Sequence, residues 1–426
     1  MDVSISPASA LNGAVRLPGD KSISHRYGML SAIAKGTSKL HNYSTGADCH
    51  STLNCMESLG IVIERDGTEI TVHGKGLNGL KEYTGTLDAG NSGSTIRMLS
   101  GILAGQHFTS RIEGDESLAR RPMARIMKPL TQMGATISAR DGSYTPLVIE
   151  GGKLNAIDYT SPVASAQVKS CILFAGLYAD GVTAVRESIK TRDHSEIALE
   201  GFGADIKVIG KNVFITGGKP LTGRELTIPG DLSSAAFFLV AATMAKQARV
   251  LITGVGLNPT RSALLDFLVG NGANIKIQDI RSDGGEIAGD LLVQNSKFQG
   301  GFVDRDLAAA LIDELPVLAV LGATSENGFT VRDAAELRVK ETDRIATVAE
   351  NMRRMGIEIS TYEDGFHIPG KQQFKGAEVE SFGDHRIAMA FAVAALSATG
   401  DTTVKEAEAA SVSFREFYDI LNHLRG

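Results

Sequence analysis

Two local patterns recur along this chain, each about six times, and that repetition limits the fold more than any single motif does. In the first pattern an amphipathic helix ends on a hydrophobic residue and a glycine, and a short alternating strand follows. It occurs as SLGIVI (58–63), QMGATI (132–137), GFGADI (201–206), GNGANI (270–275) and RMGIEI (354–359), and a last helix ends as LNHLRG at Gly426. Glycine is the favoured left-handed stop of a helix, and the alternation after it predicts a half-buried strand. In the second pattern a helix of small apolar residues runs into a turn and a strand. YGMLSAIAKGTSKLHN is the first of these and AFAVAALSATGDTTVKEA the last. Each unit therefore reads helix, strand, helix, strand, with linking strands between.

The small-residue helices are apolar nearly all round, which predicts burial inside a domain. The others, such as STLNCMESL and RIATVAENMRRM, are amphipathic and predict an outer layer. The expected class is α/β (α+β), with sheets wrapped around packed helices and three units to a domain. A chain of 426 residues exceeds what one core usually serves, so two domains are expected. IPGDLSSAAFF (228–238) copies the Pro-Gly-Asp register of LPGDKSISHRY (17–27), and each Pro-Gly is read as a crossover. The expected domains are 20–229 and a discontinuous one of 1–19 plus 230–426, with the site in the cleft between them.

The net charge of −6 argues against a nucleic-acid or acidic-membrane partner for the molecule as a whole, so an anion site must come from local clusters. Cys49, Cys55 and Cys171 form no CxxC pair and no metal spacing, which reads as small buried hydrophobes in a reducing compartment. The start, MDVSISPASALNGAV, has no basic head before an apolar run, and no apolar run is long enough to span a bilayer. A cytoplasmic location is expected.

Against that background, basic residues sit in the wrong places. A helix N-terminus is electropositive and favours acidic residues. LPGDKSISHR nevertheless sets Lys21, His25 and Arg26 at the start of an apolar helix, while its copy PGDLSSAAF does without them. GNSGSTIRML (90–99) opens the second such helix with Gly93, Ser94 and Arg97. SPVASAQVKS (161–170) opens the third with Ser165, Gln167 and Lys169, and SFGDHRIAM (381–389) the sixth with Asp384 and Arg386. In RVKETDRI (338–345), Lys340 and Arg344 are expected four apart on one helical face, a mildly repulsive pair unless an anion lies between them.

Taken singly, each feature has an ordinary explanation. A Ser or Asp before a helix caps it, an Arg near its start reaches water, and the doublet Arg120–Arg121 before Pro122 either grips a carboxylate or is solvated. Four of the six equivalent helix starts carry the anomaly, and helices repeated with pseudo-symmetry point their starts one way. A polyanion site built from helix ends is the expectation. It is not that of a nucleoside triphosphatase, because GxxxxGK[ST] needs Gly directly before Lys and Asp20 intervenes here. Asp313 in LIDELPVLAV and Glu341 in RVKETDRI are the acid–base candidates, each otherwise a helix cap or a salt-bridge partner. His194 and His385 are further proton carriers or structural histidines.

LPGDKSISHR, GNSGSTIR, RRPM, SAQVKS, IDELPVLA, LRVKETDRI and GDHRIAM occur in one order over the whole chain. Together they resemble the 5-enolpyruvylshikimate-3-phosphate synthases. The resemblance implies an enolpyruvyl transferase fold of two domains, each with three βαβαββ units. It implies a reaction in which the 5-hydroxyl of shikimate 3-phosphate attacks phosphoenolpyruvate, the methylene is protonated, and phosphate leaves a tetrahedral ketal. It implies no metal and no organic cofactor.

By the same resemblance Lys21, Ser22, Arg26, Ser165, Ala166, Gln167, Arg192, Asp313 and Lys340 would hold shikimate 3-phosphate, with Lys169 adding to that side. Lys21, Gly93, Ser94, Arg121, Gln167, Arg344 and Arg386 would hold phosphoenolpyruvate. Asp313 would be the base, Glu341 the acid, and Lys21 would lie between the substrates.

Three departures resemble a second sequence class of the family. NSGSTIRM stands for NAGTAMRP, Ser165–Ala166–Gln167 for a Ser–Ser–Gln triplet, and ASVSFREF (410–417) lacks a lysine that some members carry. They imply raised tolerance to glyphosate, an inhibitor of the phosphoenolpyruvate site. A sibling transferase acting on UDP-N-acetylglucosamine fits less well, since GDESLARRP holds no cysteine and Ser22 stands where the sibling has Asn. A non-catalytic phospho-ligand-binding repeat protein is the other alternative. The expected partners are small-molecule substrates only, and the expected state is a monomer.

Overall fold

The structure is a computed structural model and describes residues 1–426. The small-residue stretches form six inner helices: α1 (Lys21–Ile33), α2 (Gly93–Ala104), α3 (Ala166–Gly176), α4 (Leu232–Met244), α5 (Leu315–Thr324) and α6 (His385–Leu396). Five have side-chain caps at the N-terminus, from Asp20, Ser92, Ser165, Asp231 and Asp384, while α5 relies on Pro316 in its first turn. They are buried along almost their whole length, so side chains such as Leu99, Ile102, Ile172 and Phe174 each contribute roughly 1.5–3 kcal/mol by leaving water.

The amphipathic stretches form outer helices, among them Ala47–Ser58, Ala124–Gln132, His194–Gly201, Ala263–Gly270 and Arg344–Arg354. Each is followed by a glycine at positive φ, namely Gly60, Gly134, Gly203, Gly272 and Gly356, as the spacing predicts. A strand follows each one.

Five of the sheets repeat one topology. In the first, Glu225–Thr227 pairs parallel with Lys35–His41, which pairs antiparallel with Glu69–Lys75, and that with Val62–Asp66. The same order holds for the sheets centred on Thr109–Glu113, Val182–Arg186, Gln247–Gly256 and Phe329–Val331. The sixth sheet has three strands, Glu378–Glu380 parallel to Thr402–Lys405 and Val3–Ile5 antiparallel to it. Alternation turns Leu40, Ile70 and Val72 inward, onto the helices.

The chain forms two compact units. One comprises Met1–Leu17, Pro229–Arg281 and Ile287–Gly426. The other comprises Pro18–Ile228 with the hairpin tip Ser282–Glu286. Each has its own apolar core. At the first crossing Gly19 has no room for a side chain: a Cβ there would lie 1.9 Å from the Asn42 carbonyl oxygen. No helix is long and apolar enough to cross a membrane.

Candidate functional site

In the unit that begins at Pro18, hydrogen bonds tie the starts of α1, α2 and α3 together. Lys21, the first residue of α1, sets its Nζ 3.0 Å from Asp48 Oδ2. His25 Nδ1 meets Thr52 Oγ1 at 2.7 Å, Thr52 meets Thr95 at 2.7 Å, and Thr95 donates to Ser92, the cap of α2. Burial, with Lys21 and Arg26 close by, holds the His25 pKa well below the ordinary histidine value. Arg97 donates to Gln167 Oε1 at 2.8 Å, and Gln167 donates to Ser94 at 2.9 Å, joining α2 to α3. A Cβ on Gly93 would lie 2.8 Å from Arg97 Nη1 and 3.5 Å from Arg121 Nη1, so the bare glycine lets two guanidinium groups reach one helix start. Arg121 is itself steadied by Asn91 and Ser117, at 3.1 and 3.2 Å.

Arg26 is only 3% exposed. It donates to Ser195 at 2.6 Å, to Ser170 at 2.7 Å and to the Ser22 carbonyl at 2.7 Å, so three of its five N–H groups have protein acceptors. Burial pushes its pKa down to about 10, with the Glu196 and Asp20 charges working the other way. Ser165 caps α3 by accepting from Val168 N at 3.4 Å, and Ser165, Ala166, Gln167, Ser22 and Arg192 are partly exposed. Lys169 is a correction: it points into the interior between Glu187 and Glu196 rather than towards solvent. His194 is buried too, with its Nδ1 2.7 Å from Glu286 Oε1.

In the other unit the charges gather around Asp313, in the turn before α5. Its carboxylate oxygens lie 3.7 Å from Lys340 Nζ, 3.8 Å from Arg344 Nη1 and 4.0 Å from Arg386 Nη2. Arg386 also donates to the Asp313 carbonyl at 2.7 Å, which fixes the turn. Arg344, 1% exposed, donates to Glu341 at 2.6 Å and to both oxygens of Asp384 at 2.8 and 3.2 Å. Burial opposes the Arg344 charge, but Asp384, Glu341 and Asp313 outweigh it and raise its pKa. Burial likewise pushes Asp384 up, and Arg344 pulls it down further, leaving it below the ordinary carboxylate value. His385 is buried as well.

Lys340 and Arg344 do not share a helical face. Residues Ala335–Val339 form a 3₁₀ turn, Lys340 is extended, and the helix starts only at Arg344, where Asp343 accepts from Ala346 N at 3.1 Å. The cap ends the helical register that the charge spacing suggested, yet both cations still reach Asp313.

Several polar residues in these networks gave no sequence signal. The start of α4 bears no cation of its own, but Arg261 from a distant turn donates to Ser233 and lies 3.7 Å from Asp231. Ser233 donates to Glu314, which stands 3.8 Å from Arg386. Asp48, Ser170 and Ser195 were silent for the same reason, since only the fold brings each to its cation. No group of three or more His, Cys, Asp or Glu is placed to hold a metal ion.

Sequence comparison fits this geometry. The profile of the family described as EPSP synthase (3-phosphoshikimate 1-carboxyvinyltransferase) matches residues 5–421. The chain belongs to the EPSP synthase family. A 3-phosphoshikimate 1-carboxyvinyltransferase of Solibacter usitatus is 61% identical over 424 residues, covering 100% of both chains. That of Koribacter versatilis is 52% identical over 421 residues, 99% of this chain and 98% of the other. Among solved structures, an EPSP synthase from Acinetobacter baumannii gives a TM-score of 0.89 at 41% identity, over 99% of this chain and 98% of that one. The enolpyruvyl transferase fold and the EPSP synthase resemblance drawn from the sequence are both borne out.

Proposed function

We propose that this protein transfers the enolpyruvyl group of phosphoenolpyruvate to the 5-hydroxyl of shikimate 3-phosphate, releasing phosphate, as a step of the shikimate pathway. The observation that carries this reading is Asp313. Its carboxylate lies within 4.0 Å of Lys340, Arg344 and Arg386, on a chain matched to the family over residues 5–421.

A carboxylate so placed is suited to take the proton of the 5-hydroxyl as the oxygen attacks the central carbon of phosphoenolpyruvate. Glu341, held by Arg344, delivers a proton to the methylene carbon. The ketal so formed loses phosphate, and a proton leaves the new methyl group to restore the enol ether. The main task of the protein is to gather two polyanions, and preorganised cations and helix ends do this without reorganisation cost. Lys21, Gly93, Ser94, Arg121, Gln167, Arg344 and Arg386 serve phosphoenolpyruvate. Lys21, Ser22, Arg26, Ser165, Ala166, Gln167, Arg192, Asp313 and Lys340 serve shikimate 3-phosphate. Because the two units each carry half of this set, we infer that the substrates draw both halves into one interdomain site. A monomer in the cytoplasm is the form this reading assigns.

The test is phosphate release from phosphoenolpyruvate with shikimate 3-phosphate, with UDP-N-acetylglucosamine, and with neither. Release dependent on shikimate 3-phosphate is expected. Release only with the sugar nucleotide moves the acceptor, and no release with any of the three overturns the reading.

A further inference from the structure

Behind Arg26 lies a buried ion triad that the chemistry above does not use. Lys169 Nζ, on a side chain 1% exposed, is 2.9 Å from Glu187 Oε2 and 2.7 Å from Glu196 Oε1, on side chains 4% and 6% exposed. Taking three charges out of water is costly, and apolar side chains of similar volume would hold these elements together at least as well. The second carboxylate oxygen of Glu196 is buried with no hydrogen-bond partner, a further cost that packing does not explain.

The neighbours of the triad suggest what it does. Lys169 precedes Ser170 and Glu196 follows Ser195. These two hydroxyls lie 2.5 Å apart and hold Arg26 from two sides, at 2.7 and 2.6 Å. Ser170 also donates to the Ala166 carbonyl at 2.6 Å, in the first turn of α3. Glu187 accepts from the hydroxyl of Thr191, the residue before Arg192. Lys169 is thus linked through Glu196 and Ser195 to the guanidinium of Arg26, through Glu187 to Thr191 in the loop that carries Arg192, and through its chain neighbour Ser170 to the start of α3.

We propose that Lys169, Glu187 and Glu196 are positioning residues that set Arg26, Arg192 and Ala166, at the start of α3, for shikimate 3-phosphate. This rests on the substrate reading above. The triad touches no substrate and acts through Ser170, Ser195 and Thr191. It carries one positive and two negative charges, so its field alone disfavours an anion. Its contribution is therefore geometric, and geometry and field make opposite predictions.

Glu196→Gln separates them. The amide keeps the size and an acceptor for Lys169 but removes a negative charge beside an anion site. If the carboxylate acted through its field, the variant would bind shikimate 3-phosphate more tightly. Positioning predicts the reverse: KM for shikimate 3-phosphate rises about tenfold through misplacement of Arg26, while KM for phosphoenolpyruvate and the melting temperature stay near those of the wild type. Because Ser170→Ala acts on the same guanidinium, the double variant is expected to be no worse than the worse single one. If Glu196→Gln fails to fold, Glu187→Gln tests the same proposal through Thr191 and Arg192, with the same expected pattern. An unchanged or lower KM for shikimate 3-phosphate in either folded variant overturns the positioning role. A wild-type enzyme that neither binds shikimate 3-phosphate by calorimetry nor turns it over overturns the substrate reading, and this inference with it.

Discussion

Arg344 pairs with both Asp384 and Asp313, and the two carboxylates make separable predictions. Asp384 is buried against Arg344 and has a lowered pKa, because the Arg344 charge overcomes the penalty of burial. A carboxylate with a depressed folded-state pKa adds stability above its unfolded value of about 4 and loses it as pH falls through the folded value. Asp384→Asn should therefore cost about 3–5 kcal/mol near neutral pH by leaving part of the Arg344 charge buried and unpaired. In urea unfolding from pH 7 downward, its deficit against the wild type should shrink below about pH 4. A deficit flat with pH would show that shape, not charge, is what Asp384 supplies. Asp313→Asn has a different signature. Loss of a general base lowers kcat on the order of 10²–10⁴-fold. Both KM values should hold or fall, since Lys340, Arg344 and Arg386 then face the substrates without a competing carboxylate. Steady-state phosphate release checks this. Lys21, Arg386 and Asp313 were legible in the sequence because they sit at or beside apolar helix starts. Arg261, Glu314 and Asp48 break no local rule, so only tertiary pairing reveals them.

At the scale of elements, the inner helices must approach closely enough for their starts to share polar contacts. Gly101 marks where α2 meets α3: a Cβ there would lie 2.1 Å from the Cys171 carbonyl oxygen. Backbone cannot rotate away as a side chain can, so Gly101→Ala must separate the helices. We expect a loss of about 3 kcal/mol in urea unfolding. Weakened coupling through Gln167 should appear as raised KM values for both substrates. The helices themselves were legible, because an all-apolar stretch with a capping residue before it allows few other structures. The stretch around Lys340 was not. Its charge spacing imitates a helix, and the competing signal, Asp343 as a cap, looks like one more charge in the run. The capping bond from Ala346 N decides the case, and Lys340 becomes extended. Lys340 and Arg344 meet at Asp313 because an extended residue and a helix start face the same turn, which a helical wheel does not represent.

At the scale of the molecule, the repeats are not closed by their own segments. The sheet around α1 takes its first strand from Glu225–Thr227, and the sheet around α4 takes its own from Ala10–Arg16. The sixth sheet takes an antiparallel strand from Val3–Ile5, where Ile5 is buried and Met1 O accepts from Ala407 N at 2.8 Å. Short-range periodicity identifies each repeat but not which distant strand completes it, so this closure is the part of the fold least visible in the sequence. It has a physical consequence. Strands that close a sheet from far away carry little local stability, and their loss should unfasten one unit without touching the other. Removing residues 1–8 takes away the Val3–Ile5 strand, the ion pair of Asp2 with Lys405 and the bond from Ala8 N to Leu396 O. In hydrogen exchange, the amides of Thr402–Lys405 and of the C-terminal turn of α6 should then lose protection. Those of Lys35–His41 and Glu69–Lys75, in the other unit, should keep it. Arg386 lies at the far end of α6 from this sheet edge, so fraying there should reach phosphoenolpyruvate binding only weakly. Uniform loss of protection across both units would instead mean that they unfold as one cooperative body.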